Sequence, residues 1–114
     1  MSVLAYIAIG SNLLNPLDQV ITAFDEIGNM PKSVLIKKSS CYSSLPSGYK
    51  DQPDFINAVV LIETELSPHE LLSELQTIEH LHKRERSFPN APRTLDLDIL
   101  LFGDIRLNSP EDRK

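Results

Sequence analysis

One cysteine, Cys41, in 114 residues leaves no internal disulfide to form, so core packing must hold the fold and a reducing compartment such as the cytoplasm suits it. Neither GxxxxGK[ST] nor GxGxxG occurs, which excludes a P-loop or a Rossmann turn as the means of gripping a nucleotide. Long hydrophobic runs are missing too. The apolar start VLAYIAI, Val3 to Ile9, is too short to span a membrane and has no Lys or Arg ahead of it to make a signal peptide. Positive charge is the scarce sign: 11 Lys and Arg face 16 Asp and Glu, a net charge of −5. Duplex affinity comes mostly from neutralising phosphates with cations, so a general nucleic-acid binder is excluded and any phosphate chemistry must use a local basic cluster. With 41% hydrophobic residues, the chain has enough apolar material for one core, and 1–114 reads as a single domain.

The punctuation of the sequence predicts a βαββαβ order. Val3–Ile9 reads as a buried strand stopped by Gly10, Ser11 and Asn12. Asn15 and Pro16 read as N-cap and N1 of a helix whose buried stripe is Leu17, Val20, Ile21, Phe24 and Ile27, ending at Gly28. Val34–Tyr42 reads as a strand running to a sheet edge, followed by the long loop SSLPSGYKDQPD. Phe55–Thr64 is the clearest strand, rich in β-branched residues. Ser67, Pro68 and Glu70 form a capping box that opens a second helix, with Leu71, Leu72, Leu75, Ile78 and Leu81 as its apolar positions and an end near His82. A second long loop, HKRERSFPNAPR, leads into the strand Leu95–Phe102. Two such halves make a ferredoxin-like α+β fold, a four-stranded antiparallel sheet with both helices on one face. Alternate positions of the strands are apolar on both faces, yet two helices can cover only one, so further chain, a partner or a ligand is expected on the other.

Asp96 and Asp98 stand two apart in the last strand, where a period of two puts both carboxylates on one face and Leu95, Leu97, Ile99 and Leu101 on the other. Such a pair stays ionised beside a hard divalent cation or arginines; a solvent-facing edge strand with two innocuous aspartates is the alternative. The loop before it carries Lys83, Arg84, Arg86 and Arg93 against one anion, Glu85, a local excess suited to phosphate oxygens. Gln76 and Glu79 line the edge of the second helix's stripe beside this loop, as nucleotide contacts or as ordinary boundary residues. Asn57 is an amide in an apolar strand with Phe55 on the same face; a flat hydrogen-bonding heterocycle satisfies both, and so does pairing of the amide to a loop backbone. His69, His80, His82 and Cys41 show no metal spacing, and the histidines read as surface residues.

Three segments, AYIAIGSNL, DQPDFINAV and APRTLDLDILLFG, resemble the 6-hydroxymethyl-7,8-dihydropterin pyrophosphokinases of folate biosynthesis, over nearly the whole chain. The resemblance implies a ferredoxin-like fold, transfer of the β,γ-diphosphate of ATP to the pterin hydroxymethyl group with release of AMP, and two Mg2+ ions. By motif position it implies that Asp96 and Asp98 hold the metal and that Arg84, Arg86 and Arg93 act as the catalytic cations on the transferred phosphates and the nucleotide. Gln76, with Glu79, falls on the nucleotide side and Ile99 beside the adenine. Ser44 and Leu45 fall in a pterin-facing loop, while Phe55 and Asn57 stack on and read the pterin. The implied partners are ATP and the hydroxymethyl pterin, with no nucleic acid and no membrane; the family is expected to be monomeric, and an uncovered sheet face leaves self-association open. Lys83 replaces a glycine common in the family and Pro89 a basic residue. Family members continue through a VPH segment and further helices, so the chain is expected to be a C-terminally shortened member, either active or a non-catalytic fragment that binds pterin or nucleotide weakly.

Overall fold

A computed structural model describes residues 2–12, 15–44, 54–83, 95–103 and 105–106. In chain order these form β1 (Val3–Ser11), α1 (Pro16–Gly28), β2 (Ser33–Lys38), β3 (Tyr42–Ser44), β4 (Phe55–Thr64), α2 (Pro68–Lys83), β5 (Asp96–Phe102) and β6 (Ile105–Arg106). The architecture is α+β, an antiparallel sheet with two helices. The sheet has six strands rather than the expected four, in the order β2-β4-β1-β5-β6 with β3 also paired to β4. Two causes account for the difference. The stretch expected as one strand from Val34 to Tyr42 breaks after a register shift between Leu35 and Lys37. There Ser39 donates its N–H to the Val59 carbonyl at 2.9 Å and accepts the Val59 N–H on Oγ at 2.9 Å, so β2 and β3 share one edge of β4. Beyond β5 the chain turns at Gly103, whose φ of 57° lies in the left-handed region that favours glycine, and β6 comes back along β5.

β1 is central because it pairs on both sides: Ile7 stands opposite Val60 of β4 and Ile99 of β5, and Ile9 opposite Ala58 and Leu97. These side chains are buried beneath the helices. On α1 the buried set is Val20, Ala23, Phe24 and Ile27, whereas Leu17 and Ile21 are 49% and 47% exposed. At about 100° per residue Ala23 through Phe24 span one arc centred on Val20, and Ile21 lies about 100° outside that centre. The expected Asn15 cap is also different: Asn15 sits at φ 59° with no side-chain capping bond, and the first turn is closed by the Gln19 N–H on the Asn15 carbonyl at 3.1 Å. On α2, Leu71, Leu75 and Ile78 are buried but Leu72 and Leu81 are exposed. His82, expected at the surface, is only 7% exposed. A register shift in β5 opposite Tyr6/Ile7 leaves Leu100 without a partner on β1. That bulge returns Phe102 to the core and moves Leu101, expected inside, to a partly exposed position.

The capping box forms as the sequence requires. The Glu70 N–H donates to Ser67 Oγ at 3.1 Å and the Ser67 N–H donates to Glu70 Oε1 at 2.9 Å. The bond from the Ser67 backbone, and then that from its side chain, holds the Glu70 carboxyl below its usual range. A carboxyl whose folded-state value is depressed contributes stability above its unfolded value and loses it as pH falls through the folded one. Thermal unfolding should therefore show the unsubstituted protein ahead of Glu70→Gln at neutral pH, with the gap closing under acid conditions. Ser67→Ala should cost about 1 kcal/mol at neutral pH. A gap that widens as pH falls contradicts this reading of the cap.

The opposite face of the sheet carries Leu4, Tyr6 and Leu100, which are exposed, around the half-buried Val59 and Leu61. Among the described residues no helix is long and apolar enough to cross a membrane.

Candidate active site

The candidate site lies at one end of this open face, and strand register assembles it. Gly10 stands opposite Asn57 on β4 and Asp96 on β5; one step along, Ala8 stands opposite Val59 and Asp98. The two-residue period of each strand then brings Phe55 to the face of Asn57 and Asp98 to that of Asp96. β3 extends the row outward, with Tyr42 opposite Asn57 and Ser44 opposite Phe55. The result is a cleft of about 250 Å³ whose lining includes Gly10, Ser44, Phe55, Asn57, Asp96 and Asp98.

Gly10 is its floor. A Cβ there would stand 3.3 Å from Asn57 Oδ1 and 3.9 Å from Phe55 Cδ1, so it would press on the amide while only touching the ring. This residue was missed as a functional position because it reads as a strand terminator. The strand in fact runs on to Ser11, and an isolated glycine inside a strand is the signal of close approach that could have found it. Asn57 Nδ2 donates to Ser44 Oγ at 2.8 Å and more weakly to the Tyr42 carbonyl at 3.4 Å. The structural pairing expected of this amide is present, its nitrogen being tied to β3, and Oδ1 lies over Gly10.

A second cleft, of about 450 Å³, opens between α2 and β5 and is lined by Gln76, Glu79, His80, Asp96 and Asp98 among others. Asp96 and Asp98 thus belong to the walls of both. Asp98 is exposed and Asp96 half-buried, while Leu97 between them is buried, as the strand period requires. Glu79 does more than edge the helix stripe: its Oε2 accepts the Leu97 N–H at 2.7 Å. A carboxylate on a backbone N–H is a strong, directional bond, and here it anchors the peptide between the two aspartates to α2.

Phe55, Asn57, Ser44, Asp96 and Asp98 are brought together, and Gln76 joins the aspartates in the second cleft. Ile99 is not at either cleft; it is 4% exposed on the helix side of β5, opposite Ile7. Leu45, Arg84, Arg86 and Arg93 lie outside the described residues, as does Pro89. Among the described residues no group of three or more His, Cys, Asp or Glu gathers to hold a metal. A divalent ion here would have two carboxylates from the protein and must complete its shell with water and ligand oxygens. That donor set fits Mg2+, which keeps several waters and is bound by one or two carboxylates together with substrate phosphates.

The family model for 7,8-dihydro-6-hydroxymethylpterin-pyrophosphokinase matches residues 6–114. The 2-amino-4-hydroxy-6-hydroxymethyldihydropteridine pyrophosphokinase of Haemophilus influenzae is 52% identical over 100 residues, covering 88% of this chain and 62% of that protein. The Pseudomonas aeruginosa protein of the same name is 46% identical over 105 residues, covering 92% and 65%. That of Pseudomonas putida is 41% identical over 110 residues, covering 96% and 91%. The chain therefore spans less than two thirds of the length of the first two relatives.

Proposed function

The chain belongs to the 7,8-dihydro-6-hydroxymethylpterin-pyrophosphokinase family, and on that premise we propose that it transfers a pyrophosphoryl group from ATP to the hydroxyl of 6-hydroxymethyl-7,8-dihydropterin in folate biosynthesis. The observation that carries this is the shared wall: Asp96 and Asp98 line both the cleft of Phe55 and Asn57 and the cleft of Gln76 and Glu79. A two-substrate transfer needs that arrangement, one acceptor site and one donor site meeting at a point of concentrated negative charge. In the first cleft the pterin ring stacks on Phe55, and a ring N–H donates to Asn57 Oδ1, whose orientation Ser44 and Tyr42 hold. In the second, Gln76 lies beside the nucleotide and Glu79 keeps the aspartate-bearing backbone in place.

Asp96 and Asp98 would hold Mg2+, which supplies charge neutralisation for the phosphates when bound. The pterin hydroxyl oxygen bonds to the β-phosphorus as the bond to the α,β-bridging oxygen breaks; that oxygen keeps the electron pair and leaves with AMP, and the hydroxyl proton is lost to solvent. Aligning the hydroxyl with that phosphorus, and countering the growing charge with Arg84, Arg86 and Arg93, are the protein's main contributions. Those arginines precede the aspartates in sequence, Arg93 standing three residues ahead of Asp96. Lys83 adds a cation to the segment and Pro89 removes one.

The sheet order, with β3 and β6 set aside, supports the finer assignment to a ferredoxin-like βαββαβ domain spanning 1–114. Acidic composition and a single cysteine support a cytoplasmic site of action and small-molecule partners, with no nucleic acid and no membrane. A monomer is the proposed state, the open apolar face being the place where self-association would occur.

A second reading has an observation of its own. The open apolar face, with Leu4, Tyr6 and Leu100 exposed, favours a chain that binds pterin or nucleotide without turnover. Incubation with ATP, Mg2+ and the hydroxymethyl pterin separates the two. AMP formed only when all three are present supports catalysis, and calorimetric binding without AMP supports the second reading. Neither binding nor AMP rejects both.

A further inference from the structure

We propose that His80 binds the nucleotide in the second cleft, giving an imidazole N–H to an oxygen of the polyphosphate tail from the wall opposite Asp96 and Asp98. The inference deepens the proposed function and rests on it. Among the described residues the walls of this cleft come from two elements: α2 gives Leu72, Gln76, Glu79 and His80, and β5 gives the two aspartates with Leu97. Three of these side chains are acids. A polyphosphate is repelled by them until a divalent cation bridges it to β5, and the oxygens that the cation does not take need hydrogen-bond donors from the other wall. Among the described lining residues only Gln76 and His80 carry side-chain N–H groups.

The bond made by Glu79 decides which part of a nucleotide His80 meets. Glu79 Oε2 accepts the Leu97 N–H at 2.7 Å, so this turn of α2 lies level with the peptide between the two aspartates. His80 is the next residue, about 1.5 Å further along the helix axis and about 100° round it. That rotation takes it off the sheet contact and to the outer lip of the cleft, where it is exposed. Gln76 stands one turn back on the same side of the helix, and Leu72, 43% exposed, stands two turns back. The charged end of the cleft is therefore the end that His80 closes, and the apolar Leu72 marks the other. Among the described residues the His80 ring has no hydrogen-bond partner, which leaves its N–H for a ligand. A neutral imidazole already carries one such donor, so the contact does not wait on protonation.

The test compares the full chain with His80→Ala and His80→Gln. Affinity is measured by calorimetry for the Mg2+ complex of α,β-methylene ATP, for AMP and for the hydroxymethyl pterin, with the thermal midpoint of each protein. His80→Ala should weaken binding of the ATP analogue by about five- to tenfold, the scale of one lost hydrogen bond. Affinity for AMP, which lacks the β- and γ-phosphates, and for the pterin should stay within about twofold. The midpoint should hold, because an exposed side chain without a partner carries little of the fold's stability. Glutamine keeps an N–H donor at nearly the same reach, so His80→Gln should recover most of the loss. Unchanged affinity for the ATP analogue in His80→Ala overturns the inference and leaves the proposed function standing. An equal loss for AMP overturns it as well, since His80 then meets the nucleoside end rather than the tail, and so does a loss shared with the pterin. A parent chain that binds no ATP analogue overturns the proposed function and the inference together.

Discussion

Replacing Asp98 by alanine is expected to lower Mg2+-dependent AMP formation by about a hundredfold or more, the scale seen when a preorganised charge-stabilising group is removed from an active site. The fold should not change. Asp98 is exposed on β5 while its neighbours Leu97 and Ile99 carry the burial, and surface substitutions of this kind usually stay within about 0.5 kcal/mol. Asp98→Asn, which keeps the shape and removes the charge, should lose activity to a similar extent, because an amide is a poor ligand for a hard cation and leaves Asp96 alone to hold it. Raising Mg2+ should recover part of the activity in either variant. Pterin binding measured without nucleotide should be less affected, since the proposed pterin contacts are Phe55 and Asn57. Full turnover in Asp98→Ala would remove the metal assignment, and with it the argument from two clefts that share a wall.

The second large effect concerns the layer that positions those strands. Ile7→Ala should destabilise the protein by about 2–5 kcal/mol, the range for truncating a buried aliphatic side chain, against a total of about 5–15 kcal/mol for a domain of this kind. Ile7 has no exposed surface and stands between Val60 and Ile99 in the register of the two flanking strands, so its loss opens a cavity that β1, paired on both sides, has little freedom to close. Urea unfolding measures it: the midpoint should fall with little change in slope. Ile7→Val, which removes one methylene, should cost about 0.5–1.5 kcal/mol. A loss below about 1 kcal/mol for the alanine variant would mean that the helices do not seal over the centre of the sheet.

Much of this molecule was legible in its residues one at a time. Phe55–Thr64 is a strand over the stretch that β-branched residues indicated, and the box of Ser67 and Glu70 closes as its spacing implied. Asp96 and Asp98 share a face because a strand's period is two, whatever it pairs with. Errors arose where a neighbour decided. Leu17, Ile21, Leu72 and Leu81 fit a helical stripe on paper, but the helices turn other arcs toward the sheet. Leu101 has the right parity for the core until a bulge opposite Tyr6/Ile7 shifts the phase. His82 reads as polar and exposed until Gln19 and Glu26, 63 and 56 residues away in sequence, bury it.

Element type, caps and the facing of the aspartates are local properties, set by the period of the backbone and by side chains a few residues apart, and the chain alone decided them. Which residues stand in one row is not local. Gly10 lies between Asn57 and Asp96 only because β1 pairs with both β4 and β5 in one register, and a slip of one residue in either pairing would send one side of the site to the opposite face. The tertiary structure alone decided that the amide, the ring and the carboxylates meet over a glycine, because register is chosen by the packing of the whole sheet against its helices.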